Sequence, residues 1–351
     1  MTDPAADPGR HPSCVAPHAA SGGTIGRELP RTRVYRRGRL EAQGFPVAQV
    51  SDYLAEPDTV VWLDLCSPAP GELHVISDEL SLDPLAIEDA VSPGERPKLD
   101  RYASHLFLNA YSVSLDVVSG GLSTHEVAAF ITERALVTVR GDQGFDIDTL
   151  LERWDATADL APYGVSYLVH GLLDLVVDGH FDAVQSLDSE IEGLEDLLFD
   201  ERPHDSAVQR RSFELRKSLV RLRRVVLPMR EVVNTIMRRD LHLVAPEMTA
   251  HYQDVYDHVL RATEWTESLR DLVTTILSTN LTIQGNRLNT VMKRLTGWAA
   301  IIAVPTAVTG FYGQNVPYPG FGEEWGFLFS LVILVGGAIG LYVMFKRRDW
   351  L

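Results

Sequence analysis

Short apolar runs come first along this chain, long helical patterns follow, and unbroken apolar stretches come last. Residues 60–65, 105–108 and 135–139 are runs of β-branched or bulky apolar side chains, which predict strands. Residues 84–89 open with Pro84 and predict the start of a short helix. From about Tyr163 the strand signals stop. Leu187, Ile191, Leu194 and Leu198 recur at helical spacing and predict a helix to about Phe199. Asp200, Glu201, Arg202, Pro203 and His204 break it. A second helix, from about Ser206 to Arg239, completes an antiparallel hairpin and is interrupted or bent near Pro228. A third starts at Ala245, Pro246 and Glu247, with proline in the first turn and an acid beside it. It meets no further proline until Pro305. Leu281, Leu288 and Leu295 recur every seventh position, a coiled-coil signal. A helix over 246–311 is roughly 100 Å long. That length predicts a stalk, bundled with copies of itself.

The last part of the chain carries two stretches without a charge, 295–311 and 325–345. The second is long enough to cross a hydrocarbon core of about 30 Å. The first is near the lower limit, so its helix is predicted to continue beyond it. Lys293 and Arg294 precede the first stretch, and Lys346, Arg347 and Arg348 follow the second. The loop between them has no Lys or Arg and carries Glu323 and Glu324. This asymmetry puts both termini in the cytoplasm and the loop outside. Two adjacent spans behind a large acidic region predict a membrane pore with a cytoplasmic sensor.

Composition narrows the partners. The formal net charge of −16 argues against nucleic acid, whose phosphates need a basic face. It suits divalent cations. Cys14 and Cys66 are the two cysteines, one in a tail and one in a predicted strand, so no disulfide framework is expected. The first residues, to about Arg31, are rich in Pro, Gly, Ala and Ser and predict a disordered tail with no secretion signal.

Along the third helix, Asn289, Met292, Thr296, Ala299, Ala303, Thr306, Gly310 and Gly313 fall on one stripe of small or weakly polar residues. Trp298, Ile301, Ile302, Val304 and Val308 occupy the other faces. The stripe fits the axis of an oligomeric pore, with the bulky faces toward lipid or the second span. It fits a tight helix-packing seam as well. Gly313, Gln314 and Asn315 form a turn where the first span ends. A ring of backbone carbonyls and neutral amides there suits a hydrated divalent ion, because Mg²⁺ gives up its waters reluctantly.

The sequence resembles the CorA magnesium channel family. The residues that carry the resemblance are Leu288 to Thr296 (LNTVMKRLT), Phe311 to Asn315 (FYGQN) and the ending FKRRDWL. Upstream they are DPLAIED at 83–89 with RPKL at 96–99, LPMRE at 227–231, and YQDVYDH at 252–258. The resemblance covers about 32 to 351. It implies a homopentamer in a lipid bilayer, with cytoplasmic α/β domains forming a funnel around the long helices and the second span as an outer ring. It implies that Gly313, Gln314 and Asn315 select hydrated Mg²⁺. Asn289 would be a polar ring, and Met292 and Leu295 a hydrophobic gate. Thr296, Ala299, Ala303, Thr306 and Gly310 would line the conduction path, with Glu323 and Glu324 at its mouth. Asp89 of one subunit and Asp254 of its neighbour, assisted by Asp257, would hold a regulatory Mg²⁺ that favours the closed state. No organic cofactor is implied. Gln314 departs from the family's Gly-Met-Asn motif, and family branches with another middle residue include zinc transporters.

These readings divide the chain into a tail (1–31), an α/β domain (32–160) and a helical hairpin (161–244). A stalk and first span follow (245–312, spanning at 295–311), then a loop (312–324), a second span (325–345) and a basic tail (346–351). The expected function is influx of magnesium, with cobalt or nickel as further cargo, gated by cytoplasmic Mg²⁺. Zinc transport, or a membrane-anchored cation sensor that does not conduct, are the alternatives. No hydrolase or nucleophile motif points to an enzyme. One further run, Asp182, Asp188, Glu190, Glu192, Glu195, Asp196, Asp200 and Glu201, faces an arginine-rich helix with Arg210, Arg211, Arg216, Arg221, Arg223 and Arg224. It reads either as inter-helix ion pairing or as an acidic rim that gathers cations.

Overall fold

The computed structural model describes residues 29–116, 120–199, 205–238, 241–315 and 317–350. Most of the predicted tail with Cys14, the predicted break at 200–204 with Asp200 and Glu201, and Arg239 lie outside the described residues. Arg31, placed by the sequence reading at the end of the tail, is instead the first residue of a strand.

Seven strands form one sheet: β1 (Arg31–Arg36), β2 (Arg39–Gln43), β3 (Thr59–Cys66), β4 (Lys98–Arg101), β5 (Leu106–Asp116), β6 (Gly121–Ile131) and β7 (Ala135–Arg140). Their order is β2-β1-β3-β7-β6-β5-β4. Only β3 and β7 run parallel. Both are almost wholly buried, as expected of strands covered on two faces, and largely apolar. Side chains alternate across the sheet. Leu63, Leu65, Phe107, Phe130 and Val137 point to one face and pack on α2 (Pro70–Leu80) and α3 (Pro84–Val91). Trp62, Leu106, Leu108, Val127 and Ile131 point to the other. There they meet α4 (Ile147–Ala156) and the helices described next. A small helix, α1 (Val50–Ala55), covers Val34 and Val61. Inside the sheet Arg140 donates to Asp64 at 2.6 Å, and each side chain is 1% exposed. The Thr138 hydroxyl satisfies a second Asp64 oxygen at 2.7 Å. The charge pair is therefore fully hydrogen-bonded, the condition under which burial of two ions is tolerated.

Three long helices follow: α5 (Val165–Phe199), α6 (Asp205–Ile236) and α7 (Thr249–Tyr312). Tyr252 of α7 donates to the Ser166 carbonyl of α5 at 2.8 Å, and Phe181 meets Trp265 at 5.5 Å. The helices α5 and α7 thus run side by side in one direction. The helix α6 returns between them in the opposite direction and is continuous through Pro228, so the predicted interruption is absent. Pro228 removes one hydrogen bond but stays inside a helix whose neighbouring apolar positions, Val225, Val226 and Met229, are buried. Packing outweighs the local penalty.

A single 3₁₀ turn, Pro246–Met248, introduces α7, which is 64 residues long. That is about 95 Å. Its lower half packs into the bundle, where its buried residues run from Tyr252 to Ile276 and on to Asn280. Above that point Leu281, Leu288 and Leu295 are 62%, 66% and 63% exposed. Among the described residues the seven-residue seam is therefore largely uncovered within one chain. The last helix, α8 (Glu324–Arg347), turns back along the top of α7. Both α7 and α8 are long and apolar enough to cross a membrane, and only 6% and 0% of their most apolar windows are buried. These apolar windows are therefore largely uncovered within one chain, unlike the lower half of α7, which packs into the bundle.

Candidate ion pathway and regulatory site

The upper part of α7 has two unlike sides. Gly297 is buried, and Ala300, Ile301, Val304, Pro305 and Val308 are half-buried. Val304 lies against Gly337 of α8, where even an added Cβ would approach to 3.0 Å. Asn289, Met292, Thr296, Ala299, Ala303, Thr306 and Gly310 are all exposed. The small-residue stripe thus faces away from α8, together with Leu295. Trp298 and Ile302, at 52% and 64% exposure, lie on the flanks. The Thr306 hydroxyl donates to its own helix at the Ile302 carbonyl, 2.9 Å away, which leaves its oxygen lone pairs and methyl group outward.

The helix ends at Gly313, whose N–H donates to the Thr309 carbonyl at 2.8 Å. A Cβ on Gly313 would stand 2.9 Å from that carbonyl oxygen, closer than side chains tolerate. Space at this carbonyl therefore favours glycine, while its backbone (φ −84°) is one that any residue adopts. Gln314 closes the turn by donating to the Phe311 carbonyl at 3.3 Å, and both Gln314 and Asn315 are exposed. The Tyr318 hydroxyl reaches back to the Tyr312 carbonyl at 3.1 Å. This aromatic clamp went unread in the sequence. Glu323 stands at the N-cap position of α8 and Glu324 opens the helix, where its N-terminus favours negative charge. Both are exposed at the loop.

Asp89 sits near the end of α3, which Asp83 caps by accepting from the Leu85 N–H at 2.9 Å. Its carboxylate accepts from Lys98 Nζ at 2.7 Å. Burial lowers the Lys98 pKa, but hydrogen bonds to Asp89 and Asp100 outweigh it and the net shift is upward. Asp254 and Asp257 are exposed on α7, and Gln253 donates to Asp257 at 3.0 Å. The helix of Asp89 packs on one face of the sheet through Ala86, and that of Asp254 on the opposite face through Val255. Among the described residues no cluster of three metal-ligating side chains forms within one chain. The donors themselves are carboxylate oxygens, which match Mg²⁺ with its retained waters.

In the acidic run, Glu190 pairs with Arg211 across α5 and α6. Asp182, Glu192 and Asp196 are exposed, as are Arg210, Arg216, Arg221 and Arg224. Arg223 instead approaches Glu267 of α7 at 3.4 Å. Among its described residues the run supplies one inter-helix pair, Glu190 with Arg211, and an exposed acidic face at Asp182, Glu192 and Asp196.

Residues 57–347 match the family model described as CorA-like Mg2+ transporter protein. The chain is 30% identical over 278 residues to the cobalt/magnesium transport protein CorA of Thermotoga maritima, covering 79% of each. It is 24% identical over 335 residues to the zinc transport protein ZntB of Pectobacterium carotovorum, covering 93% of this chain and 98% of that one. Its fold matches the complete structure of the CorA magnesium transporter from Methanocaldococcus jannaschii with a TM-score of 0.74. That match has 20% identity and covers 91% of this chain and 98% of the other. With most of its length matched by the family model, the chain belongs to the CorA-like Mg2+ transporter proteins.

Proposed function

We propose that this chain assembles as a homopentamer in the plasma (inner) membrane, with both termini cytoplasmic, and conducts divalent cations inward. Mg²⁺ is the main cargo, with cobalt and nickel as further cargo. The observation that carries this reading is the uncovered stripe from Asn289 to Gly310, turned away from α8 and ending at Gly313, Gln314 and Asn315. Five such stripes around an axis line a narrow path with small and neutral groups. At its outer end, amide and carbonyl oxygens accept hydrogen bonds from the waters of a hydrated ion, so the ion need not shed them. Glu323 and Glu324 raise the local cation concentration, within the roughly 8–10 Å that salt screening allows. At the inner end, Met292 and Leu295 form an apolar ring that closes by expelling water. The membrane potential drives entry: about 2.3 kcal/mol per charge at 100 mV, hence about 4.6 kcal/mol for a divalent ion.

Regulation follows from the cytoplasmic carboxylates. Mg²⁺ shared between Asp89 of one subunit and Asp254 of the next, with Asp257 nearby, stabilises the closed arrangement and so gives negative feedback. Uptake of Mg²⁺ into proteoliposomes, with Co²⁺, Ni²⁺ and Zn²⁺ as competitors, tests the cargo. Inhibition of Mg²⁺ flux by the other ions supports one shared path. Zinc transport is the second reading, favoured by Gln314 in place of methionine and by the similarity to ZntB. Zinc flux that exceeds Mg²⁺ flux and follows an imposed pH gradient would select it. Absence of any ion flux from an intact oligomer would select a non-conducting sensor.

A further inference from the structure

We infer that Lys98 is a tethered cation that competes with the regulatory Mg²⁺ for Asp89 and so sets the concentration at which the closed state forms. The inference rests on Asp89 being the regulatory ligand proposed above. The Lys98 ammonium lies 2.7 Å from Asp89, 3.3 Å from Asp100 and 3.4 Å from Glu95. Three carboxylates around one positive charge are a cation site with the cation already supplied by the chain. The position is built rather than incidental. Lys98 begins β4, where its backbone pairs with Asn109 of β5. Its ammonium stands 5.9 Å from the centre of the Phe107 ring, within cation–π range. The Glu95 carbonyl is tied down by Asn109 at 3.4 Å and by the Tyr111 hydroxyl. The Lys98 side chain is 21% exposed, so the charge is only partly screened by water.

This arrangement makes an exchange inexpensive but not free. When Mg²⁺ takes Asp89, Lys98 keeps Asp100 and Glu95 as partners and is not left uncompensated. It remains within a few ångströms of the incoming ion and repels it. Loss of the Lys98–Asp89 pair and this repulsion weaken Mg²⁺ binding, and the two retained partners keep it from being abolished. A sensor of cytoplasmic Mg²⁺ has to remain empty until the ion is abundant, and a resident competitor achieves that without altering the ligands.

The test uses the purified full-length protein. The readout is the Mg²⁺ concentration at half-maximal thermal stabilisation and at half-maximal protection from protease. Lys98→Met keeps the stem and removes the charge, and Lys98→Gln serves the same purpose if the methionine variant misfolds. Either should lower the midpoint about five-fold, the scale of one partly screened charge pair. Lys98→Arg should stay near the wild-type midpoint. In the Asp89→Asn background Lys98→Met should shift it less, because the contested ligand is gone and only the repulsion remains. An unchanged or raised midpoint in the charge-removing variants, while Asp89→Asn alone raises it, overturns the role of Lys98 and leaves the regulatory site standing. An unchanged midpoint in Asp89→Asn alone overturns the regulatory site and this inference together.

Discussion

The Tyr318 hydroxyl donates to the Tyr312 carbonyl at 3.1 Å, and the two rings meet edge to face at 5.0 Å. The contact bridges the turn of Gly313, Gln314 and Asn315 from both sides. It continues through Phe321, 5.3 Å from Tyr318. A turn held in this way presents its amides in one arrangement rather than many, which is what selection of a hydrated ion needs. Tyr318→Phe keeps the ring contact and loses one hydrogen bond, a change of about 1 kcal/mol. Mg²⁺ uptake is expected to fall a few-fold. Tyr318→Ala loses both contacts and should lower uptake further, with the oligomer intact by size-exclusion. Full uptake by the alanine variant would mean that the turn holds itself.

His180 supplies a pH dependence of folding. It is fully buried, and its Nε2 donates to the Tyr111 carbonyl at 2.7 Å. Burial pushes its pKa down to about 4, against a smaller upward pull from that hydrogen bond. The unfolded chain protonates this ring near pH 6.5, and the folded chain resists until about pH 4. Between those values the unfolded state binds more protons, so stability falls as the pH drops. At the lower end the loss reaches about 3 kcal/mol. His180→Gln retains a donor for Tyr111 and cannot titrate. Its apparent melting temperature should fall less between pH 7 and pH 4.5 than that of the wild type. Parallel curves would exclude His180 as a contributor.

Met292 and Leu295 are the proposed gate, and both are exposed on one chain, at 57% and 63%. Met292→Gly or Leu295→Gly should raise leak at high cytoplasmic Mg²⁺, because a wider, wetter ring no longer excludes ions. Glycine also loosens a helix by about 1 kcal/mol. Met292→Ser separates the two effects, since serine adds polarity at a smaller helical cost. More leak in all three variants supports the ring. Tight closure in all three would move the gate along the stripe, to Ala299 or Ala303.

Legibility followed burial and length. The two uncharged stretches and the long helix stand out because lipid and sustained periodicity leave strong patterns. The central strands β3 and β7 were readable because both are buried on two faces and carry runs of bulky apolar residues. The strand β2 reads Arg-Leu-Glu-Ala-Gln and β4 reads Lys-Leu-Asp-Arg, and both sit at sheet edges. Edge strands are held by backbone pairing and carry charge against aggregation, so their composition hides them. The strand β6 follows buried Leu122 with exposed Ser123 and Thr124 before its buried half. In the site, the small stripe on α7 follows from helical period alone. Asp89 and Asp254 do not: solvated carboxylates look alike in sequence, and only the resemblance singled them out. Lys98 beside Asp89 and Tyr318 beside Tyr312 are pairings that the folded loops create.

Asp254→Lys should weaken closure by cytoplasmic Mg²⁺, as should Asp89→Lys, because an ammonium cannot ligate the ion and repels it. Ligand binding stabilises the state that binds it, so protease protection by Mg²⁺ should diminish in step. Unchanged Mg²⁺ inhibition of current in both variants would reject these carboxylates as the sensor.

The central claim is that Asn315, at the end of the uncovered stripe, meets the ion as it enters. The most direct measurement compares Mg²⁺ uptake by wild-type and Asn315→Ala protein in proteoliposomes, with oligomer size checked in the same preparations. The account predicts uptake by the wild type and none by an assembled Asn315→Ala variant. Wild-type uptake by that variant would contradict it.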